Sequence, residues 1–452
     1  MKNNATWKEN LILAGFLPEQ IDDNHFILLD ESKVNISFLK KLLNESGIQH
    51  SFEFNQQCVI SLYSEAPSRQ SWLSSIAKVG GKVCGLMCRP GYLELEILDT
   101  PMLSAVRQLN RLGLSTSYSC TGHDKSCAEI HFWESNDAMK ASELLNRLGF
   151  HAKSFKRKMT IYNSSRLIEM GLVLSKLDCI ENQKIEALSH TLREELLEKL
   201  LMIPGTSGNE SRVRDFLWPI LEELTDHAFV DSRGNLLAMK KMGRGPCILL
   251  SAHMDVVEPI PELSTIIKDS RIWHRNQGIL GADDRAGLAM IVSILKSASN
   301  TSFRGTLKIA FTTEEEVGQR GAESILPLFF WDVDCAISLD RRNGSDIVTS
   351  NSKQRYCSEV YGKIFEQVSK DLWSGQADYT MVEGGVSDLR VWSSLGVESV
   401  NLSIGYHNEH TPTEYLNLTE WHRTHDLVMK ALPILTSCRG KIGYVRTSSL
   451  KS

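Results

Sequence analysis

No apolar run in the chain reaches the roughly 18 residues that a membrane-spanning helix requires. Its opening segment, residues 1–16, also lacks the apolar stretch followed by small residues that marks a secretion signal. Together these absences lead to the expectation of a cytoplasmic protein. A strong charge of either sign is missing too: 50 Lys and Arg stand against 55 Asp and Glu, a net charge of −5. That balance argues against nucleic acid or an anionic membrane surface as a partner. There is no short-period repeat and no low-complexity tract. In a reducing compartment the 10 cysteines are expected as thiols or metal ligands, not as disulfides.

What is present is a globular composition, 42% hydrophobic and 23% charged over 452 residues. That length suggests two or three domains, with cores large enough to need no covalent staples. Residues 92–98, 115–119, 128–133 and 153–162 alternate as strands, and 101–112 and 138–148 repeat apolar residues at helical spacing. Residues 81–165 are therefore expected as an α+β sandwich-like domain, preceded by a similar small α+β unit at 1–80. A helical linker is expected at 166–190. From 191 to 452, apolar strands alternate with amphipathic helices. The expectation there is an α/β domain: three layers around a mostly parallel sheet.

Short acidic and histidine motifs follow the strands of this last region. They are Ser251-Ala-His-Met-Asp255, Gly281-Ala-Asp-Asp-Arg-Ala-Gly287, Thr312-Thr-Glu-Glu-Glu316, Leu339-Asp340 and His407-Asn-Glu-His-Thr-Pro-Thr-Glu414. Alone, each is weak: an acidic triplet is more often a solvated charge run, and a lone His-x-Asp is more often chance. Open α/β sheets gather their ligands at the carboxyl ends of the strands. Strand-end loops that each bring a carboxylate or imidazole can therefore converge on one point, as a cluster of cations needs. Zinc takes neutral imidazole and carboxylate oxygen. Two zincs need a bridging carboxylate, and an unliganded glutamate nearby can act on water.

In their order and wording these motifs resemble the dizinc exopeptidase superfamily, above all peptidase T-like and carboxypeptidase G-like enzymes. The lead-in Ile203-Pro-Gly-Thr-Ser-Gly-Asn-Glu210 and the Asp231-Ser-Arg-Gly-Asn235 turn belong to the same likeness, which covers residues from about 190 onward. The resemblance implies two divalent cations, zinc above all, with cobalt or manganese also suited. It implies His253, Asp283 and Asp340 around one and His410, Asp283 and Glu316 around the other. Asp283 would bridge, and its peptide bond to Asp284 would be cis. Asp255 would orient His253. Glu315 would be the general base in amide hydrolysis. His407 competes with His410, which is preferred because Thr-Pro-Thr-Glu follows it. The lid or dimerisation insertion of peptidase T-like relatives has no room between Asp340 and His410, nor is there room for another between His253 and Asp283. A monomer is therefore the weak expectation.

The implied substrate is a short peptide, cleaved by an aminopeptidase or dipeptidase. Another small amide, such as an N-acyl amino acid, is the alternative. A binding or regulatory protein with a retained fold is the third reading. Ser387 and Asp388, in a Gly-Gly-x-Ser-Asp loop, are candidates to line the cleft. Arg341 and Arg390 are candidates to hold a substrate carboxylate. In the N-terminal part, Cys84, Cys88, Cys120, His123 and Cys127 form a candidate second metal site, although small thiols are also common in cores.

Overall fold

The computed structural model describes residues 6–437, apart from 30, 55–56, 81–92, 123–126 and 375–378. The chain divides into two compact units, Met1–Ser189 and His190–Ser452.

The N-terminal unit runs α1 (Trp7–Leu13), β1 (Pro18–Gln20), β2 (His25–Leu28), α2 (Lys33–Glu45), β3 (His50–Phe54), β4 (Cys58–Leu62), α3 (Arg69–Val79), α4 (Leu103–Arg111), β5 (Thr116–Cys120), β6 (Cys127–Phe132), α5 (Ser135–Arg147), β7 (His151–Phe155), β8 (Lys158–Tyr162) and α6 (Leu167–Leu174). The same series of helix, hairpin, helix, hairpin and helix occurs twice. Both sheets are four-stranded with equivalent orders, β1-β2-β4-β3 and β5-β6-β8-β7. In each, the two inner strands pair antiparallel. β6 shows why these segments are strands: Ala128, Ile130 and Phe132 alternate into the core while the residues between them face outward. The halves form one unit in which α1 packs on α4 and α6.

Two readings of this region change. Within the segment read as a strand at 92–98, Leu95–Ile97 is a turn of 3-10 helix, and the buried Leu95 and Leu98 lie three apart, not two. The segment at 153–162 is a hairpin, not one strand. It reverses at Lys156 and Arg157, with Lys156 at φ 53°.

The C-terminal unit continues with α7 (Asn182–Leu201), which spans the division, then α8 (Ser211–Leu224), β9 (His227–Val230), β10 (Leu236–Lys241), β11 (Cys247–His253), β12 (Ile266–Asp269), β13 (Ile272–Arg275), α9 (Ala282–Ala298), β14 (Thr306–Thr312), α10 (Arg320–Ser324), β15 (Cys335–Arg341), β16 (Asp346–Ser350), α11 (Glu359–Trp373), β17 (Thr380–Glu383), α12 (Leu389–Ser394), β18 (Glu398–Ser403), β19 (Tyr406–His407), β20 (Tyr415–Asn417) and α13 (Leu418–Ser437). Eight strands form the central sheet in the order β17-β16-β18-β15-β11-β14-β10-β9. Its middle, β18-β15-β11-β14, is parallel. β10 and β9 close one side as an antiparallel hairpin.

β11 is buried along its whole length, as expected of a parallel strand covered on both faces. Ile248, Leu250 and Ala252 pack into a core shared with α8, α9, α11 and α13. Leu249 turns to the opposite face, where Phe330 and Trp392 lie. The result is the three-layer α/β architecture expected from the alternation of elements. Between His253 and Asp283 the chain forms β12 and β13, which join β20 and β19 in a small antiparallel sheet.

Candidate active site

The sheet delivers the charged residues by ending where it does. His253 is the last residue of β11, Thr312 the last of β14, and Asp340 stands next to the end of β15. Asp283 lies at the start of α9 in a non-helical conformation (φ −79°, ψ 102°), and the Asp283–Asp284 peptide is cis. That geometry turns the Asp283 carboxylate into the space beyond the strands. Its Oδ1 lies 3.0 Å from His253 Nε2 and its Oδ2 lies 3.1 Å from His410 Nε2. Asp340 Oδ1 is 3.6 Å from His253 Nε2, and Glu316 Oε1 is 2.9 Å from His410 Nε2. The fold thus brings His253, Asp283, Asp340, Glu316 and His410 together. Ligand atoms of His253, Asp283 and Glu316 lie within 4.8 Å of one another, as do those of His253, Asp284 and Asp340.

Asp255 supports two parts of this cluster at once. Its Oδ1 is 3.3 Å from His253 Nδ1. Its two oxygens also accept the backbone N–H groups of Glu315 (3.0 Å) and Glu316 (3.1 Å), and Ser207 Oγ donates to it at 2.7 Å. Against the cost of burial, His253 above all, with Ser207 and the Glu315 N–H, holds its carboxyl down at about 2. Glu315 is buried beside the cluster and accepts a hydrogen bond from Gln319 Nε2 at 3.1 Å. Burial pushes its carboxyl up to about 8, and the charges of Asp340, Glu316 and Asp283 push the same way. Burial likewise lifts Asp340 to about 7. On the imidazole side, hydrogen bonds from His410 to Asp283 and Glu316 raise its ring to about 10. Crowded buried carboxylates that retain protons, beside imidazoles that gain them, describe a cluster seeking positive charge.

His407 takes no part in this cluster. Its Nε2 meets Glu420 at 2.7 Å and its ring stacks on Tyr415. The candidate substrate contacts also sit differently from expectation. Arg341 is tied to Asp346 at 3.0 and 2.9 Å, and Arg390 to Glu323 at 2.6 Å and Gln319 at 3.2 Å, so both guanidinium groups already hold carboxylates of the chain. Ser387 and Asp388 are buried. Thr312 Oγ1 donates to Asp388 at 2.5 Å, and Asn401 donates to Ser387 at 3.3 Å. In the N-terminal unit, Cys84, Cys88 and His123 lie outside the described residues. Cys120 faces Glu129 across the sheet and Cys127 faces Tyr162. Among the described residues that unit holds no group of three ligands.

Other residues of the site were not singled out from the sequence. The Tyr406 hydroxyl donates to Asp340 Oδ1 at 3.2 Å, which gives this buried tyrosine a polar duty besides packing. Asn401 grips the Asp340 backbone in both directions, at 3.0 and 2.7 Å. Glu414 accepts from the N–H groups of Gly281, Ala282 and Asp283 at 2.8, 2.8 and 3.2 Å. Asp284, grouped with His253 and Asp340, accepts from the N–H groups of His253 and Gly287. Glu414 did stand in a quoted motif, which was the available signal. Tyr406 and Asn401 carried none.

A family model described as M42 glutamyl aminopeptidase matches residues 266–427. A putative aminopeptidase of Acetivibrio thermocellus is 23% identical over an alignment covering 53% of this chain and 98% of that protein. By these matches the C-terminal unit is similar to the zinc exopeptidase superfamily. A putative [LysW]-lysine/[LysW]-ornithine hydrolase of Pyrobaculum aerophilum is 34% identical to this chain over 133 residues, 29% of its length; the match spans only about a third of that relative's length, 36%. Among solved structures, the TET1 peptidase of Pyrococcus horikoshii overlaps 53% of this chain and 98% of its own, at 18% identity and a TM-score of 0.43. That peptidase is described as able to assemble into a tetrahedron or a large octahedral shell. Among the described residues no helix is long and apolar enough to cross a membrane.

Proposed function

We propose that the C-terminal unit hydrolyses amide bonds of short peptides at a site built for two divalent cations, zinc above all. The observation that carries this reading is Asp283: its two oxygens face two imidazoles, His253 and His410, each with a further carboxylate beside it. The donor set of imidazole nitrogen and carboxylate oxygen suits zinc, cobalt and manganese alike. His253, Asp283 and Asp340 would hold one cation. His410, Asp283 and Glu316 would hold the other. Cations bound there would polarise the scissile carbonyl and acidify a water.

The chain's own residues do the rest. Asp255 fixes the His253 ring and the backbone of Glu315 and Glu316, so the base and a ligand share one support. Glu315 takes the proton of the attacking water on a carboxylate oxygen and returns it to the leaving nitrogen. Positive charge at the neighbouring carboxylates brings the Glu315 carboxyl down from its raised value, which frees it to act as a base. A small-amide hydrolase is the second reading. It is favoured by the [LysW]-lysine/[LysW]-ornithine hydrolase, which is more identical to this chain, over a shorter match, than the aminopeptidase relative.

The test is hydrolysis of di- and tripeptides and N-acyl amino acids by zinc-loaded protein, beside a Glu315→Gln variant. Loss of about 10²- to 10⁴-fold in turnover with unchanged metal content is expected. Equal turnover by the two proteins would rule out the assigned base. Fewer than one metal per chain after gentle purification would favour a non-catalytic binding protein.

A further inference from the structure

The side chains expected to grip a substrate carboxylate, Arg341 and Arg390, are held by carboxylates of the chain. A third guanidinium, that of Arg342, stands elsewhere. It lines a cavity of about 660 Å³ together with His410, Glu409, Asn343 and Thr411. His410 is also in contact with Asp283 and Glu316, so the cavity and the candidate metal centre share this residue as a common wall. Its volume lies within the range of small-ligand sites. Its lining side chains are polar or charged, so it has no apolar wall to select a hydrophobic side chain.

Arg342 is half exposed, and its Nη1 meets Glu409 Oε1 at 2.8 Å. One oxygen engages one of the five N–H donors of a guanidinium. Its backbone, by contrast, is pinned. Ser403 Oγ donates to the Arg342 carbonyl at 2.6 Å, and Asn343 N–H donates to the Tyr406 carbonyl at 2.9 Å. Ile404 N–H and Gly405 N–H donate to the carbonyls of Arg341 and Asn343. Glu409 sits on an equally fixed turn, where Thr411 Oγ1 bonds the Asn408 carbonyl at 2.7 Å. A cation with donors to spare therefore projects from rigid backbone beside the ligand His410.

We propose that Arg342 is the specificity residue of this site and holds the free C-terminal carboxylate of a short peptide whose amide lies at the metal centre. The substrate class is a di- or tripeptide with an unblocked C-terminus. Longer chains and C-terminal amides are disfavoured, because nothing anionic then reaches the guanidinium. Glu409 keeps Arg342 in place until the substrate carboxylate takes the remaining donors as a forked pair. This inference rests on the amide-hydrolysis reading above and adds a substrate class to it.

The experiment uses the full chain carrying Glu315→Gln, loaded with zinc, so that bound peptide is not consumed. Calorimetry compares Ala-Ala-Ala with the same tripeptide amidated at its C-terminus. Binding of the acid is expected to be about 10- to 100-fold tighter, as for a charge-assisted pair. Adding Arg342→Ala is expected to erase that difference, and Arg342→Lys to restore part of it. A thermal melt checks that each variant folds. Equal binding of acid and amide overturns the proposal. So does a preference that survives Arg342→Ala, since the carboxylate is then held elsewhere. Parallel assays of the Glu315 protein separate the two levels: metal-dependent cleavage of both tripeptide forms at equal rates sinks only the role of Arg342. Absence of any metal-dependent cleavage sinks the parent reading along with it.

Discussion

Each oxygen of Asp283 has its own imidazole, and the residues around it exist to keep that so. Glu414 is the clearest case. It is buried, burial pushes its carboxyl up to about 7, and it accepts three successive backbone N–H groups ending at Asp283 itself. Glu414→Ala leaves those donors without a partner, at a cost of about 1–3 kcal/mol for a buried group. It also frees the Asp283 loop, so zinc affinity is expected to fall about 10- to 100-fold, as when supporting residues around metal ligands are lost. Chelator competition measures this. Unchanged affinity would show that Asp283 needs no such clamp. The tyrosine at 406 shows the limit of reading residues singly. It reads as packing, and only its neighbour in space, Asp340, gives its hydroxyl a purpose.

Among the elements, α9 is the one the site leans on. It passes so close to β15 that a Cβ on Gly287 would sit 2.2 Å from the Leu339 carbonyl and 2.5 Å from Asp284. Gly287→Ala is expected to destabilise the protein by about 1–3 kcal/mol or more, since overpacking forces backbone to move. A denaturant titration reads this, and an unchanged midpoint would mean that the helix is free to shift. A second element-level prediction concerns α7 and α13. His190 and His422 stack at 3.8 Å between ring centres. Arg193 Nη1 lies 3.3 Å from His422 Nδ1 and 3.0 Å from His425 Nδ1. Glu194, Asp426 and Arg271 complete the charged surroundings. Burial pushes all three imidazoles down to about 4. A histidine lowered in the fold is protonated first in the unfolded chain. Its contribution is therefore present above about pH 6.5 and is lost as pH falls towards 4. Glu194 and Asp426, with carboxyls held low, add the same sign. The three imidazoles are expected to take roughly a few kcal/mol from the C-terminal unit between pH 7 and pH 5, while the raised carboxyls of Glu315, Asp340 and Glu414 act with the opposite sign. A His425→Gln variant whose denaturation midpoint follows pH just as the parent's does over that window would contradict this.

For the molecule as a whole, the metal centre is also a store of like charge. Asp283 and Asp284 at the start of α9 meet Glu315, Glu316 and Asp340 at strand ends, and burial and mutual repulsion raise the carboxyls of Asp284, Glu315, Glu316 and Asp340. Binding of zinc to the folded state alone stabilises by mass action, about 4 kcal/mol at a thousand times the dissociation constant. Dialysis against a chelator is expected to lower the melting temperature of the C-terminal unit, and zinc to restore it. A melt indifferent to both treatments would mean that the cluster binds no metal in the fold.

The legible parts of this protein were those where neighbours in sequence are also neighbours in space. Apolar runs at 247–251 and 306–312 announced central strands, and the acidic residues following them announced a site, because a strand must end before it can present a side chain at its carboxyl edge. The cis bond at Asp283 was implied by the family resemblance of its motif. A second α+β unit similar to that at 81–165 was expected at 1–80, but the strand order the two share was not legible, because it lives in hairpin connections, which leave no shared residue pattern. Nor was the small sheet of β12, β13, β20 and β19, whose strands are too short for alternation to show and whose pairing joins distant segments. The partners of each arginine belong to the same class. Composition and motif could name Arg341 and Arg390 as hands for a carboxylate. The fold pairs the first with Asp346, five residues on, the second with distant Glu323, and Arg342 with Glu409 beside the cavity, since a guanidinium goes to whichever carboxylate the fold brings within reach.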